Sequence, residues 1–358
     1  MEAVISASGG SVADLGEWGV IAALAARMPP GPLTSVGIGD DAAVVGAPSG
    51  SVVAAVDMLL EGRHFVRSWS SAYDIGVKAA ARSLSDIAAM GAVPTALLVA
   101  LAAPGTLPAQ WALDLASGLA AEAERAGAGV VGGDTARADA VLLSVTALGD
   151  LAGRPPVRRA GAAPGDVVAA AGPLGHSAAG YALLAAGVPG FPELVAAHLR
   201  PAPAYDAGPE AARLGATAMI DVSDGLVADL GHVAQASGVR IDIDSSALAP
   251  GDLLASAAAA LSASPLSRTD PADSPSLLPL DWVLSGGEDH SLVATFPPAV
   301  ALPERWRVIG TVHPAVKAPP PAAPGAAAPG AAPGAAAPGS VTVDGEPYQG
   351  RRGWEHFR

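Results

Sequence analysis

Strand-like and helix-like segments alternate along this chain of 358 residues, and the alternation runs through it twice. In the first run, the apolar stretch "VVAAVDM" (52–58) predicts a buried strand that ends on Asp57. The stretch "TALLVALA" (95–102) predicts a second strand, and residues 72–92 between them have the length and composition of a helix. This pattern limits the chain to two successive units that each mix helices with strands.

Two domains are therefore expected, at residues 1–150 and 151–358, which also agrees with the length of the chain. Two stretches of biased composition look like insertions in the second domain. Residues 262–279 are rich in Ser, Pro and Asp, and residues 318–339 repeat Ala, Pro and Gly. The second tract carries too little apolar bulk to pack, so we expect it to be a disordered spacer.

Composition excludes several classes of function. A formal net charge of −14 argues against a nucleic-acid-binding protein, because binding to phosphates requires a basic surface. The sequence has no cysteine, which fits a reducing, cytoplasmic location and excludes thiolate metal sites. No apolar run is long enough to cross a bilayer, and the first residues, "MEAVISASGG", do not have the features of a signal peptide. Neither lysine, Lys78 or Lys317, follows a glycine, so a Walker A loop is absent.

The stretch "GIGDDA" (37–42) fits the dinucleotide-binding fingerprint, yet it places Asp40 and Asp41 where a pyrophosphate would approach the backbone. Three interpretations are open. A dinucleotide site is disfavoured by the proline-rich segment before it and by repulsion between the carboxylates and the phosphates. A plain turn with solvated aspartates is the second interpretation. In the third, the carboxylates hold Mg²⁺, which in turn binds a phosphate.

Nine carboxylates along the chain occur near turns and strand ends, and most have apolar or small neighbours instead of basic ones. They are Asp40, Asp41, Asp57, Asp86, Asp134, Asp221, Asp224, Glu288 and Asp289. Each one alone could be a helix cap. As a set, they would be costly to ionise without a positive partner, which favours divalent metal. Phosphoryl transfer fits such a set, because its catalysis consists mostly of positioning and electrostatic stabilisation.

Six short motifs follow one another over nearly the whole chain: "GIGDDAAV", "VDMLLEGRHF", "LSDIAAMGA", "GGDT", "DVSDGLVADLG" and "SGGED". In this order they resemble the thiamine-monophosphate kinases. That family belongs to the superfamily that includes aminoimidazole ribonucleotide synthetase, selenophosphate synthetase and a hydrogenase maturation factor. The resemblance implies a two-domain α/β (α+β) fold, with an N-terminal domain that binds ATP and Mg²⁺ and forms the sheet of a homodimer. It also implies a site for ATP and several Mg²⁺ ions in a cleft shared by the domains, and direct phosphoryl transfer from ATP to thiamine monophosphate.

The resemblance also assigns residues. Metal ligands are implied at Asp40, Asp41, Asp57, Asp86, Asp134, Asp221 and Asp224. ATP contacts are implied at Gly133, Asp134, Arg159 and Ser223, and contacts to the thiamine phosphate at His64, Glu288 and Trp354. An aromatic ring and a carboxylate suit a cationic thiazolium. The residues expected to act in catalysis are Asp86, Asp224 and Arg159.

The chain departs from the usual family pattern at a few positions. Ser83 stands where Asn is usual in "NLSD", and His290 and Ser291 stand where Tyr and Glu usually follow "GGED". Ala55 and Val56 replace hydroxyl residues before Asp57, so a metal contact there would come from a backbone carbonyl. These changes bear on the finer contacts of the site more than on the reaction.

Two other functions remain open. One is a different ATP-dependent enzyme of the same superfamily, such as the ring-closing synthetase, against which the combination of "DVSDGL", "GGED" and "GRHF" argues. The other is a non-catalytic protein that senses metal or nucleotide. The full carboxylate set argues against a sensor, because a sensor does not need ligands for several metals.

Overall fold

The computed structural model describes residues 10–38, 42–264, 278–315, 339–350 and 353. The chain divides into two compact units. The first consists of Met1–Pro155 and Leu199–Pro209, and the second of Pro156–His198 and Glu210–Arg358. Residues 199–209 group with the first unit, which the local sequence pattern does not predict. Most of the two biased tracts, namely residues 265–277 and 318–338, lies outside the described residues.

In the first unit, the described helices are α1 (Val12–Ala25), α2 (Ala72–Ala89) and α3 (Ala109–Arg125). The strands are β1 (Thr34–Val36), β2 (Val44–Val45), β3 (Val53–Leu60), β4 (Val93–Ala103), β5 (Gly129–Arg137) and β6 (Leu142–Asp150). β1 and β2 form a small antiparallel pair. The other four form a sheet in the order β3-β6-β4-β5, in which β4 and β5 run parallel and the other pairs are antiparallel.

α2 and α3 pack closely against each other because two glycines allow their backbones to meet. A Cβ atom at Gly118 would overlap the carbonyl oxygen of Tyr73, and one at Gly76 would overlap that of Leu115. α2 begins with a capping box, in which the side chains of Ser71 and Asp74 satisfy backbone N–H groups at its N-terminus. The helix predicted over residues 72–92 is confirmed.

The prediction that β3 is a buried strand ending on Asp57 is wrong in two respects. The strand continues to Leu60, so Asp57 lies within it and not at its end. It is also not buried, since the side chains of Val56, Met58 and Leu60 are 62%, 49% and 37% exposed. Alternate residues of a strand point to opposite faces, so these three share one face and Asp57 lies on the other. The apolar composition misled the prediction, because nothing in the described part of this chain covers the outer face of β3.

The segment Leu199–Pro209 is attached to α3 by polar contacts. The hydroxyl of Tyr205 donates a hydrogen bond to Oε1 of Glu122 at 2.5 Å, and Arg125 also contacts the Glu122 carboxylate. The Arg125 guanidinium lies 4.5 Å from the centre of the Tyr205 ring and donates to the carbonyl oxygen of Pro203 at 3.1 Å. The buried Glu122 carboxylate thus has partners on both sides, which a buried charge requires.

In the second unit, the described helices are α4 (His176–Ala185), α5 (Pro192–Leu199, whose last residue falls in the first unit), α6 (Ala207–Leu214, which also begins there), α7 (Leu226–Ser237), a 3₁₀ helix (Ser245–Leu248), α8 (Asp252–Ala263) and α9 (Pro279–Ser285). The strands are β7 (Val167–Ala171), β8 (Ala218–Asp221), β9 (Val239–Ile243), β10 (Leu292–Phe296), β11 (Arg307–Pro314), β12 (Val341–Val343) and β13 (Glu346–Pro347).

These strands form one sheet in the order β13-β12-β9-β11-β7-β10-β8. Its pairs are antiparallel except that between β12 and β9. The core of the unit joins the central strands to α4, α7 and α8 through Ala, Val, Leu and Ile side chains, together with the buried Trp282 of α9. Within the described ranges, no helix combines the length and the apolar character that a bilayer crossing needs.

The close contact between α2 and α3 gives a first prediction. Gly118→Ala should lower the unfolding free energy by about 2 kcal/mol or more, because its Cβ would overlap a backbone oxygen that cannot rotate away. Thermal unfolding of the purified variant measures the effect. Gly231→Ala on α7 is the matched control, since a Cβ there meets nothing within 4 Å and Ala is the better helix former. Equal melting temperatures for the two variants would contradict the prediction.

Candidate active site

Asp57 of β3 is linked to α2 by two side chains. The Ser83 hydroxyl lies 3.0 Å from Oδ2 of Asp57 and 3.0 Å from the carbonyl oxygen of Val145, and Nη2 of Arg82 lies 3.9 Å from Oδ1. A hydroxyl has one hydrogen to donate, so Ser83 donates to one of its two acceptors at a time. The serine at this position therefore keeps a hydrogen-bonding contact with Asp57.

Asp86 lies on the same side of α2. Residues three and four apart on a helix are neighbours, and Asp86 follows Ser83 by three positions and Arg82 by four. Its side chain is half-buried between the fully buried Ser85 and Ile87. The helix thus presents Asp86 towards the face of the sheet that carries Asp57.

Asp134 lies on β5 beside Ala100 of β4, next to a large cavity within the first unit. Its Oδ1 accepts a hydrogen bond from the backbone N–H of Thr135 at 2.8 Å. A Cβ atom at Gly133 would overlap the carbonyl oxygen of Val99, so a side chain at this position does not fit. The cavity of about 920 Å³ is lined by residues 132–135 and by apolar side chains of α1, α3 and β4. Its size is in the range of small-molecule sites.

His64 follows β3 and is held against the end of that strand. Its Nδ1 accepts a hydrogen bond from the backbone N–H of Leu60 at 3.0 Å. The hydrogen of the neutral imidazole is therefore on Nε2. This arrangement fixes the ring orientation of a half-buried histidine.

In the second unit, backbone pairing brings two motifs together at one end of the sheet. β8 ends on Asp221, and the ladder with β10 continues past both strands. The N–H of His290 donates to the carbonyl oxygen of Val222 at 2.9 Å, and the N–H of Glu288 donates to that of Ser223 at 2.8 Å. The turn after "DVSDG" therefore lies directly beside "GGED", as neither motif alone could reveal.

Asp229 of α7 holds the turn after β8 in place. Its Oδ2 accepts hydrogen bonds from the backbone N–H groups of Ser223, Asp224 and Gly225, at 3.1, 3.1 and 3.0 Å. Burial, followed by the negative charges of Asp221 and Asp224, raises the pKa of Asp229 to about 7. Asp229 is thus close enough to Asp221 and Asp224 for their negative charges to disfavour its ionised form. Asp221 and Asp224 carry carboxylate oxygens, which are the ligands that Mg²⁺ prefers.

His290, a departure from the family pattern, contacts one of these carboxylates. Its Nδ1 lies 3.2 Å from Oδ2 of Asp221, and both side chains are buried. His290 also has a φ of 52°, in the left-handed region. The histidine thus orients Asp221 from inside the unit.

Asp289 links the "GGED" turn to the start of α4. Its carboxylate accepts hydrogen bonds from the backbone N–H groups of Gly175, at 2.6 Å, and Ser177, at 2.9 Å. Burial raises the pKa of Asp289 to about 7, while these N–H groups act in the opposite direction. Its position beside Glu288 means that it fixes the turn that carries Glu288.

Arg159 is exposed near the outer edge of β8. The carbonyl oxygen of Arg158 accepts a hydrogen bond from the N–H of Met219 at 3.1 Å, and Met219 lies two residues before Asp221. The carbonyl oxygen of Arg159 accepts a hydrogen bond from the Ser237 hydroxyl, also at 3.1 Å. These bonds hold the main chain of Arg159 close to the strand that ends on Asp221.

Three of the predicted site residues, Asp40, Asp41 and Trp354, lie outside the described residues. Gly353, directly before Trp354, is described, and a Cβ atom there would lie 2.5 Å from the carbonyl oxygen of Asp224. In the described ranges, no group of three or more Asp, Glu or His side chains converges as a metal-binding cluster. The metal roles of the individual aspartates stay predictions. Sequence reasoning did not single out Asp229 or His198, whose roles depend on distant partners.

Family models match both halves of the chain. The N-terminal domain of AIR synthase related proteins matches residues 39–151, and the C-terminal domain of the same family matches residues 163–267. A structure described as AaThiL complexed with AMPPCP and TMP is 30% identical, with a TM-score of 0.70, and the match covers 96% of this chain and 98% of that one. The two-domain α/β fold of AIR synthase related proteins is thereby confirmed.

Whole-chain relatives narrow the family further. The thiamine-monophosphate kinase of Mycobacterium tuberculosis is 46% identical over 344 residues, which cover 96% of this chain and 92% of the relative. That of Corynebacterium glutamicum is 42% identical over 313 residues, or 85% of this chain and 88% of the relative. The chain therefore belongs to the AIR synthase related family and, within it, to the thiamine-monophosphate kinases.

Proposed function

We propose that this protein transfers the γ-phosphoryl group of ATP to thiamine monophosphate and releases thiamine diphosphate and ADP. The observation that carries this function is the 46% identity to a thiamine-monophosphate kinase across 96% of the chain. The likeness to AaThiL, whose complex contains AMPPCP, an analogue of ATP in chemical structure, supports ATP as the phosphoryl donor. This reaction is the final step of thiamine diphosphate synthesis.

The attacking group is an oxygen of the substrate phosphate. It is largely ionised near neutral pH, because the second pKa of a phosphomonoester is about 6. The reaction therefore needs no strong general base. Its main obstacle is repulsion between two anions, which positive groups around the phosphates must offset.

We infer that the carboxylates of the two units serve as ligands of Mg²⁺. When bound, Mg²⁺ supplies positive charge to the phosphate oxygens. Support comes from the crowding that raises the pKa of Asp229 and from the position of Asp57 and Asp86 on facing elements. The proposed ligands are Asp40, Asp41, Asp57, Asp86, Asp134, Asp221 and Asp224.

The remaining roles are proposals of the same kind. Gly133, Asp134 and Ser223 contact the nucleotide, with Gly133 supported by the cavity that it lines. Arg159 offsets charge on the ATP phosphates and, with Asp86 and Asp224, completes the catalytic set. His64, Glu288 and Trp354 contact thiamine monophosphate.

A homodimer formed through the first unit is the proposed assembly. The outer face of β3 carries Val56, Met58 and Leu60 in an exposed apolar row. An exposed apolar row of this kind marks an interaction surface. A second copy of the chain would present the same apolar row, so the two rows could pack against each other. A cytoplasmic location is proposed from the use of ATP and from the absence of cysteine in the sequence.

Replacing a proposed metal ligand gives the next prediction. Asp86→Asn should lower kcat/KM by about a thousandfold or more, because the amide lacks the negative charge with which the carboxylate would bind Mg²⁺. Steady-state formation of ADP with thiamine monophosphate measures the loss, and circular dichroism checks the fold. Asp114→Asn, an aspartate of α3 that contacts Gln110, is the matched control and should keep its activity. Wild-type turnover by Asp86→Asn would remove Asp86 from the site.

The reaction should require Mg²⁺ and should proceed without a phosphoenzyme. Carboxylates that bind metal are poor nucleophiles because their lone pairs are engaged. Direct transfer inverts configuration at phosphorus, whereas two successive transfers retain it, so ATP with a chiral γ-phosphoryl group distinguishes the two paths. Retention, or a ³²P-labelled protein able to phosphorylate thiamine monophosphate, would contradict direct transfer.

The proposed dimer can be tested by charging its surface. Met58→Glu should convert the dimer into monomers, since an ionised carboxylate would be buried against the apolar face of the second copy. Light scattering after size-exclusion chromatography reports the mass. Val308→Glu on β11 is the control, because Val308 is also an exposed strand valine, at 46%, but belongs to the second unit. A wild-type protein with the mass of one chain would refute the dimer.

A further inference from the structure

The main chain at Glu288 is held in an uncommon conformation. Its φ of 64° lies in the left-handed region, and its N–H donates to the carbonyl oxygen of Ser223 at 2.8 Å. Gly287 lies so close to the same turn that a Cβ atom would come within 2.6 Å of the Ser223 oxygen. The backbone therefore fixes where the Glu288 side chain begins, and other groups must orient its carboxylate.

His198, on the last turn of α5, faces that carboxylate. Its Nδ1 lies 3.6 Å from Oε2 of Glu288, and the side chains are 10% and 24% exposed. This distance is longer than a hydrogen bond and within the range of an ion pair, which forms when the imidazole is protonated. Nδ1 of His198 therefore lies on the Oε2 side of the Glu288 carboxylate.

His198 is itself held in place from α4. The Ser177 hydroxyl lies 3.1 Å from the same Nδ1, and the Tyr181 ring packs edge-on against the imidazole with centroids 5.5 Å apart. A Cβ atom at Gly180 would overlap the carbonyl oxygen of Leu194, so α4 and α5 are in close backbone contact. The imidazole thus has little freedom to turn away from Glu288.

These contacts close into a ring within the second unit. Asp289, the residue after Glu288, accepts a hydrogen bond from the Ser177 N–H at 2.9 Å. Ser177 contacts His198, and His198 contacts Glu288. Glu288 is therefore connected to Ser177 of α4 in two ways, through Asp289 and through His198.

We propose that His198 is a positioning residue for substrate recognition: through Nδ1 it orients the Glu288 carboxylate towards the cationic ring of the thiamine phosphate. The inference rests on the proposed function, in which Glu288 contacts that substrate. Both oxygens of a carboxylate can accept hydrogen bonds or face a cation, so fixing one oxygen orients the other. A residue that acts only through Glu288 changes the affinity for thiamine monophosphate and leaves that for ATP unchanged.

Two substitutions separate the role of Nδ1 from that of the ring. His198→Phe keeps an aromatic ring against Tyr181 but removes Nδ1, and should raise the KM for thiamine monophosphate about tenfold with kcat and the KM for ATP within about twofold. His198→Asn places an amide nitrogen near the position of Nδ1 and should restore most of the affinity. His232→Phe, on the exposed side of α7, is the matched control and should leave all three constants unchanged.

A double-mutant cycle tests whether His198 acts through Glu288. In a Glu288→Gln background, His198→Phe should add less than about twofold to the KM, since the group it orients has lost its charge. Additive effects of the two substitutions would overturn the proposal, as would an unchanged KM for thiamine monophosphate in folded His198→Phe. Equal losses for ATP and thiamine monophosphate, or failure of His198→Asn to restore affinity, would also overturn it. A wild-type protein that does not phosphorylate thiamine monophosphate would instead refute the proposed function.

Discussion

The antiparallel pairing of β8 with β10 is the interaction on which the candidate site of the second unit depends. It continues beyond the strands through Val222 and Ser223, and so places the "GGED" turn beside the turn that follows Asp221. Two buried carboxylates then fix these turns: Asp229 binds three backbone N–H groups of one, and Asp289 links the other to α4. Backbone N–H groups that are satisfied in this way hold a turn in one conformation, which a site for several charged groups requires.

In the first unit, the corresponding constraint is the attachment of α2 to the sheet. The Ser83 hydroxyl joins Asp57 to the helix, and the glycine contacts at Gly76 and Gly118 hold the same helix against α3. Asp86 is carried on the same face of α2, so its position follows from helix geometry alone. The opposite face of the sheet keeps an apolar row on β3, which we attribute to a second copy of the chain. Asp57 and this apolar row therefore lie on opposite faces of β3.

Three departures from the family pattern, at Ser83, His290 and Ser291, make specific contacts in the structure. Ser83 retains a hydrogen-bonding contact with Asp57, which is compatible with the reaction implied by the family. His290 packs inside the second unit and contacts Asp221, so the residue at this position orients a proposed metal ligand. Ser291 donates a hydrogen bond to the carbonyl oxygen of Pro173, at 2.5 Å, and lies against Gly172, where a larger side chain would have less room.

The sequence by itself determined the family, the reaction and the helix that carries Asp86, because ordered motifs and helical composition are local properties of the chain. The prediction that β3 is buried was wrong, because the apolar composition of a strand does not reveal whether its outer face is covered by the same chain. The sequence could not assign Asp229, Asp289 or His198, because their roles arise from contacts with groups that local patterns do not mark. Asp289 and Gly175, for example, are 114 positions apart. Only the tertiary structure, by pairing strands and packing helices that are distant in sequence, decided which carboxylates hold the turns and which side chains orient Glu288.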